Sequence, residues 1–354
     1  MNILVIGAGV FGICTALKLS ESNRVTLIDS NDDIMLNASK FNHNRLHFGF
    51  HYPRSIETAI QSIEGFKSFH QIFKDSVVDN FPNYYMVEKN SKVSSSDYSD
   101  FCNKLSLKIV EEYPKIDMDF SNIDSSFLTN EPVYDYETLK KILKNMICKS
   151  TINLILNKTL QNKSDVDGYD VVINASYFNI NKINRLFNLP ESTLRFQNVV
   201  IPIFRKNMNK IGLTIMDGKY CSIMPKGFDD NYFLLYHVRN SVICQSEGYN
   251  ISGMWELEKK IIKNKFFKKN IYDKIIISKK IDKIYDESIK YYSFLKDCEP
   301  DGYLQTIRAL PINEDDSRMS DITFNCVDNI KVISILSGKI TTCWKIAEDI
   351  KKMI

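Results

Sequence analysis

Three glycines near the amino terminus have the spacing of a phosphate-binding turn. Gly7, Gly9 and Gly12 follow the apolar run Asn2–Ile6 and open a stretch with helical spacing of its apolar residues. There Gly7 permits a tight turn, Gly9 lets the backbone approach a pyrophosphate, and Gly12 lets the helix pack close to the strand. Asp29 ends the next apolar run, where a carboxylate accepts hydrogen bonds from ribose hydroxyls. The pattern predicts an adenine dinucleotide, NAD or FAD.

A second segment that could do chemistry lies between residues 38 and 55. It contains three histidines and two arginines among aromatic side chains, and Gly49 allows close backbone approach. Imidazole titrates near neutral pH, so His47 or His51 is a candidate base for the proton of an O–H or N–H group. The segment therefore supplies candidate catalytic residues for oxidising a C–H bond next to oxygen or nitrogen.

This segment resembles the FAD-dependent oxidoreductases of the D-amino-acid oxidase (DAO) family, which favours FAD over NAD. Its H-x-G-x-x-Y pattern of His47, Gly49 and Tyr52 is most similar to L-2-hydroxyglutarate dehydrogenase and FAD-linked glycerol-3-phosphate dehydrogenase. The resemblance implies that His47 lies near the isoalloxazine or the substrate. It also implies that the loop contacts the cofactor through Ser39, Asn44, Arg45 and Leu46. Whether the flavin is covalently attached, through His47 or His51, stays open.

Two later segments are similar to cofactor-binding parts of the same family. Residues 168–176 predict a turn, a buried strand and a small-residue loop, as in the family's strand that ends beside FAD. Residues 329–336 predict a last strand, and the glycine turn after it would aim the N-terminus of a last helix at an anion. With Phe11 of the first turn, the implied cofactor contacts are Ala175, Ser176, Gly338, Lys339, Ile340 and Thr341.

The substrate would be held by an arginine and by aromatic residues. Thr306 to Pro311 resembles the late arginine segment of these flavoproteins, where the arginine faces a carboxylate or phosphate. Arg308 is therefore the predicted anion anchor, because guanidinium grips such groups with two hydrogen bonds, and Arg318 is a second candidate. The predicted substrate contacts are Tyr52, Tyr220, Tyr236 and His237.

The elements that position these residues predict an α/β (α+β) chain with two domains. A Rossmann-like FAD-binding domain with a parallel sheet would comprise residues 1–78, 136–190 and 296–354. Residues 79–135 and 191–295 lack the βαβ rhythm and predict an antiparallel-sheet substrate domain. Within it, residues 90–100 have the composition of a polar loop.

Composition narrows the class of protein. The 354 residues are 44% hydrophobic and 25% charged, which excludes a disordered chain or a small disulfide scaffold. A net charge of +3 gives no reason to expect a nucleic-acid partner. Eight scattered cysteines without metal-ligand spacing predict a cytoplasmic protein without a metal site. No apolar run is long enough for stable membrane insertion. Residues 255–283 form a lysine-rich stretch, which is either a solvated helix face or a surface that docks on anionic lipid.

Together these features predict an FAD-dependent dehydrogenase or oxidase that oxidises a CH–OH group of a small anionic substrate by hydride transfer to the flavin. A hydroxy acid and a polyol phosphate are both compatible with this prediction. Oxidation of an amino acid or amine at CH–NH is the alternative. Residues 44–54 also resemble uncharacterised bacterial oxidoreductases of surface-polysaccharide synthesis, so a sugar-derived substrate stays open. The electron acceptor could be oxygen, a quinone or a carrier.

Overall fold

The structure is a computed structural model that describes residues 1–218, 220–252, 269–312 and 319–354. Arg318 and the greater part of the lysine-rich stretch, up to residue 268, lie outside the described residues. The described strands are β1 Asn2–Ile6, β2 Arg24–Ile28, β3 Val77–Val78, β4 Asn83–Glu88, β5 Val110–Glu111, β6 Ile123–Thr129, β7 Val133–Tyr134, β8 Asn153–Ile155, β9 Val171–Asn174, β10 Leu194–Arg205, β11 Gly212–Met216, β12 Cys221–Pro225, β13 Tyr232–His237, β14 Val242–Gly248, β15 Pro300–Pro311, β16 Asp321–Val327 and β17 Ile330–Leu336. The described α-helices are α1 Val10–Ser20, α2 Ile56–Phe73, α3 Ser95–Lys104, α4 Tyr136–Cys148, α5 Ile180–Leu186, α6 Lys269–Ser288 and α7 Cys343–Met353.

Five parallel strands and one antiparallel edge strand form the first sheet, in the order β16-β17-β9-β1-β2-β8. Alternate side chains of β1 are buried on opposite faces of the sheet. Ile3 and Val5 pack with helices α1, α2, α4 and α7, while Leu4 and Ile6 pack with α5 on the other face. Because both faces are covered, the residues from Ile3 to Ile6 are all apolar, as is typical of parallel sheets. The predicted α/β class is confirmed.

The second sheet has nine strands in the order β14-β10-β13-β12-β11-β4-β6-β5, with β15 also paired to β10. The predicted meander is present, since β12 and β13 pair antiparallel over Cys221 to Pro225. The prediction of a wholly antiparallel sheet is wrong at one place, where β4 runs parallel to β11. The chain between β4 and β11 is long enough for the crossover connection that a parallel pair requires.

Part of the predicted polar loop is a helix. Helix α3 begins after Ser94, whose side chain accepts a hydrogen bond from the backbone N–H of Asp97. Tyr98, Phe101 and Cys102 form its buried face. The serine-rich composition suggested a loop, but here a serine caps the helix and a short apolar stripe anchors it. Among the described residues, no helix combines the length and the apolar character that a membrane span needs.

Candidate active site

A cavity of about 410 Å³ lies between the two sheets. Its wall includes the turn after β1, the segment that follows residue 36, the end of β9, and parts of β10, β13 and β15. The structure therefore brings together residues that are far apart in sequence, such as Ile6 and Ile340. The predicted residues that line it are Gly7, Gly9, Phe11, Asp29, Ser39, Arg45, His47, His51, Tyr52, Ala175, Ser176, Tyr220, Tyr236, Arg308, Gly338, Lys339 and Ile340.

The turn between β1 and α1 has a backbone that only glycine accommodates. Gly7 has a φ of +105°, and a Cβ there would lie 2.6 Å from the carbonyl oxygen of Ala175. A Cβ on Gly12 would lie 1.8 Å from the carbonyl oxygen of Gly7. Gly9 is the N-cap of α1, and no acidic residue occupies the first turn of that helix. The positive end of the helix dipole therefore faces the cavity, which is the arrangement that binds a pyrophosphate. Gly12 does not line the cavity, in keeping with its predicted packing role.

The Asp29 carboxylate is fixed at the end of β2. Its Oδ2 accepts the N–H of Ala8 at 2.6 Å, and its Oδ1 accepts both the N–H and the side-chain amide of Asn31 at 2.8 Å. A carboxylate has roughly four acceptor sites, so one remains for a further donor. Asp29 lines the cavity and is therefore placed to accept a ribose hydroxyl, as its spacing predicts.

The segment around residue 45 pairs with the chain near residue 133 like an extra strand. The N–H of Leu46 donates to the carbonyl of Pro132 at 3.0 Å, and the carbonyl of Asn44 accepts the N–H of Tyr134 at 2.8 Å. Asn44, which has a φ of +56°, and Leu46 lie buried outside the cavity wall. Their predicted cofactor contacts therefore stay predictions.

The cavity wall also contains a histidine that the sequence did not single out. His43, Arg45 and His47 share the cavity side at a spacing of two residues. Nε2 of His43 lies 3.0 Å from the carbonyl oxygen of Leu234 and must donate to it, since a carbonyl only accepts. The two-residue period was visible in the sequence and could have pointed to His43.

Arg45 is buried and forms an ion pair with Glu131, a second residue that the sequence reasoning missed. Its Nε lies 3.6 Å from Oε1 of Glu131, and its terminal nitrogens donate to the Tyr85 hydroxyl at 2.8 Å and to Oγ1 of Thr214 at 2.6 Å. Burial alone would lower the pKa of Arg45, but the neighbouring Tyr85 and Glu131 outweigh it and raise the pKa. The guanidinium therefore stays charged inside the cavity wall.

Arg308 has a different environment on β15. One terminal nitrogen donates to Oε1 of Gln197 at 2.7 Å, and its guanidinium carbon lies 5.5 Å from the centre of the Tyr236 ring. Its Nε is buried and has no hydrogen-bond partner among the described residues. In the described part of the chain, moreover, no carboxylate is ion-paired with Arg308. Such an orphaned donor in a cavity wall fits an anionic ligand.

The predicted glycine turn after β17 is present, but α7 does not begin directly after it. A single 3₁₀ turn, Ile340–Thr342, comes first, and Thr341 is fully buried outside the cavity wall. The predicted cofactor contact of Thr341 therefore stays a prediction. Lys339 is almost fully buried, and its Nζ lies 5.4 Å from the centre of the Tyr52 ring.

His237, a predicted substrate contact, lies outside the cavity wall. Its Nδ1 accepts the backbone N–H groups of Arg239 and Asn240 at 3.2 Å.

Comparison with known families agrees with this geometry. Residues 2–92 match the family model described as FAD dependent oxidoreductase (DAO). The amino-terminal part of this chain is therefore similar to that family. The match includes the glycine turn, Asp29 and the segment that bears His43 and His47. The predicted resemblance to DAO-family enzymes that use FAD is confirmed.

Similar proteins extend the comparison beyond residue 92. The FAD-dependent monooxygenase kojA of Aspergillus flavus is 26% identical over 250 residues, which cover 64% of this chain and 58% of that protein. The chain thus spans about three-fifths of the length of this curated relative. In fold it resembles glycine oxidase from Geobacillus kaustophilus, with a TM-score of 0.72 and 10% identity over 99% of this chain and 93% of that one. It also resembles the FAD-bound L-alpha-glycerophosphate oxidase from Mycoplasma pneumoniae, with a TM-score of 0.68 and 12% identity over 99% and 94% of the two chains.

The cavity wall fits FAD on its own chemistry. The glycine turn keeps open a space for phosphate groups. A Cβ on Gly7 or on Gly12 would collide with the backbone that surrounds this space. Ser39 shapes the same place, because its Oγ accepts the N–H of Val10 at 3.1 Å. Asp29 retains an acceptor site for a ribose hydroxyl. These residues suit a dinucleotide pyrophosphate and its adenosine ribose.

We expect the His43 imidazole to stay neutral between pH 5 and 8. Burial, and next the charge of Arg45, lower the pKa of His43 to about 3, against the opposing hydrogen bond to Leu234. Since the folded-state pKa lies below that of the unfolded chain, His43 contributes stability above pH ~6.5, and this contribution is lost as the pH falls toward 3. The free energy of unfolding should therefore fall less on acidification in His43→Gln than in the wild type.

The measurement is denaturant unfolding of both proteins from pH 7 down to pH 4, with nuclear magnetic resonance to follow the imidazole. His70→Gln is the matched control, because His70 is an exposed histidine on α2. A His43 resonance that titrates near neutral pH would contradict the prediction.

Proposed function

We propose that the chain oxidises a CH–OH group of a small anionic substrate, with FAD as the hydride acceptor. The observation that carries the proposal is Arg308, an arginine without a carboxylate partner in the described chain, in the cavity that also contains the dinucleotide turn. A carboxylate or phosphate bound there would satisfy the orphaned Nε and bring the neighbouring carbon into the cavity.

The proposed contacts follow from the positions of the residues. FAD would be held by the first turn, Asp29, Ser39 and the loops that contain Ala175 and Lys339. When bound, FAD supplies the acceptor for a hydride, and the protein supplies position and charge. Tyr52, Tyr220 and Tyr236 would contact the substrate from the second sheet and the histidine segment. Of these, Tyr220 already donates its hydroxyl to Oε2 of Glu88 at 2.7 Å.

One of the two candidate bases is better placed than the other. Nδ1 of His51 lies 3.4 Å from a terminal nitrogen of Arg45, which can only donate, so the lone pair of that Nδ1 is engaged. Nδ1 of His47 lies 3.8 Å from Oε1 of Glu131, a carboxylate that stabilises a protonated imidazole. We therefore propose His47 as the group that takes the hydroxyl proton while the C–H hydride leaves the same substrate.

The division into a cofactor part and a substrate part is also a proposal. The first sheet contains the strands that precede the dinucleotide turn and the Gly338 loop, and the second sheet contains Tyr236 and Arg308. Strand β15 lies within the interval 296–354 but pairs with β10, so we count it with the substrate part. A cytoplasmic location stays a prediction.

The test is the visible spectrum of the FAD-loaded protein under anaerobic conditions with a panel of candidate substrates. The panel contains 2-hydroxy acids, polyol phosphates, amino acids and sugar acids, each with an uncharged analogue. Bleaching by a hydroxy anion and not by its uncharged analogue is the expected result. Bleaching by amino acids with release of ammonia would establish the alternative CH–NH chemistry. Bleaching by sugar acids alone would establish a sugar-derived substrate. Equal bleaching by charged and uncharged compounds would contradict the role of Arg308.

A further inference from the structure

Among the described residues two arginines line the cavity, and their electrostatic environments differ. Arg45 is 7% exposed and has Glu131, itself 1% exposed, at ion-pair distance. Arg308 has only neutral partners in the described chain, the amide of Gln197 and the ring of Tyr236. A buried charge without its counter-charge is strongly unfavourable, so Arg45 and Glu131 each require the charge of the other. This difference concerns residues that sit beside the proposed cofactor.

Glu131 accepts hydrogen bonds at both of its side-chain oxygens. Its Oε1 accepts the Tyr85 hydroxyl at 2.6 Å, and its Oε2 accepts the backbone N–H of Phe48 at 3.1 Å. Burial raises the pKa of Glu131 above its ordinary value, against the opposing charge of Arg45, while two accepting oxygens suit the ionised form. The backbone of Glu131 is fixed too, since its carbonyl accepts the side-chain amide of Asn83 at 2.7 Å.

Glu131 reaches the cavity only through other residues. It does not line the wall, whereas Arg45 and His47, which lie 3.6 Å and 3.8 Å from its Oε1, both do. Its bond to Phe48 fixes the backbone between His47 and Gly49. Removing the carboxylate would leave the Arg45 charge uncompensated in the wall of the cofactor cavity.

We propose that Glu131 is a positioning residue that neutralises Arg45 beside the flavin and so leaves Arg308 as the anion anchor. The inference rests on the proposed function for the role of Arg308, but its electrostatic part concerns FAD alone. Charge near the flavin ring tunes its reduction potential. An unmasked Arg45 would stabilise the reduced, more negative flavin and make the potential more positive.

The experiment measures the reduction potential of bound FAD by titration with a chemical reductant and a reference dye, without any substrate. Glu131→Gln is expected to shift the potential to more positive values. Arg45→Gln, which leaves the carboxylate alone, is expected to shift it to more negative values. The double variant Arg45→Gln/Glu131→Gln restores the net charge, so its potential should return close to that of the wild type.

Two controls separate charge from packing. Tyr85→Phe removes one hydrogen bond to Glu131 and one from Arg45 but keeps both charges, so its potential should stay close to the wild-type value. Tyr84, the neighbour of Tyr85 on β4, donates its hydroxyl to Oε1 of Glu112 at 2.9 Å, away from the cavity wall. Glu112→Gln therefore removes a comparable carboxylate that pairs with a tyrosine of the same strand. This variant should leave the potential unchanged.

The outcomes distinguish this inference from the proposed function. Potentials of Glu131→Gln and Arg45→Gln that equal the wild-type value would overturn the inference, and so would an equal shift in Glu112→Gln. If Glu131→Gln does not fold, Arg45→Gln and the double variant decide the question alone. A panel in which no hydroxy anion bleaches the flavin would remove the proposed function and leave these potentials informative. A wild-type chain that takes up no FAD would overturn both.

Discussion

Replacing Arg308 with methionine is expected to lower kcat/KM for the anionic substrate by about a hundredfold while the chain keeps its FAD. Two charge-assisted hydrogen bonds together contribute about 3 kcal/mol, and each 1.4 kcal/mol corresponds to about tenfold. The loss should appear mainly in KM, because the anion is bound in the ground state and the transition state alike. Steady-state kinetics over a wide range of substrate concentration measure both parameters.

Two variants make this expectation specific. Arg308→Lys keeps the charge but loses the planar pair of donors, so its kcat/KM should lie between those of the wild type and Arg308→Met. Arg195→Met is the matched control, since Arg195 lies on the neighbouring strand β10 and pairs with Glu247 at 2.8 Å, outside the cavity wall. A similar loss in the control, or none in Arg308→Met, would refute the anchor.

Replacing Gly12 with alanine is expected to destabilise the chain by about 3 kcal/mol and to remove most of its FAD. The added Cβ would lie 1.8 Å from the carbonyl oxygen of Gly7 and 3.3 Å from the Cβ of Ala175. Helix α1 must therefore move away from the strand, and overpacking of this kind costs about that amount. The displaced helix no longer aims its first turn at the pyrophosphate.

The measurements are the unfolding free energy and the flavin absorbance per protein after incubation with excess FAD. Gly168→Ala is the control, because Gly168 has a positive φ of +86° and no atom within 4 Å of a Cβ. It should lose about 1 kcal/mol from backbone strain and keep its FAD. An alanine at position 12 that binds FAD normally would contradict the packing role of Gly12.

The parts of the site that the sequence predicts are local in the chain. The strand, glycine turn, helix and Asp29 all lie within the first 29 residues, where spacing alone specifies the geometry. Asn44 and Leu46 were assigned to the cofactor because a motif names positions but not the direction of each side chain. Only the pairing with Pro132 and Tyr134 shows which alternate residues face the cavity.

The parts that the sequence does not predict depend on contacts between distant residues. Glu131 lies 86 residues after Arg45, and nothing in its own surroundings marks it as the partner of that arginine. The parallel pairing of β4 with β11 likewise joins residues 83–88 to residues 212–216. Helix α3 is a different case, because Ser94 and Asp97 have the spacing of a cap that the polar composition concealed.

The order of strands in the first sheet constrains how this protein matures. Strand β1 is synthesised before the other strands of this sheet, but its neighbour β9 comes only at residue 171, and β17, which pairs with β9, ends at residue 336. The dinucleotide turn next to β1 is therefore held by partners made much later on the ribosome, and non-local pairing of this kind slows folding. We expect nascent chains to acquire flavin only after β17 has emerged, so that cellular FAD captures chains with a complete first sheet.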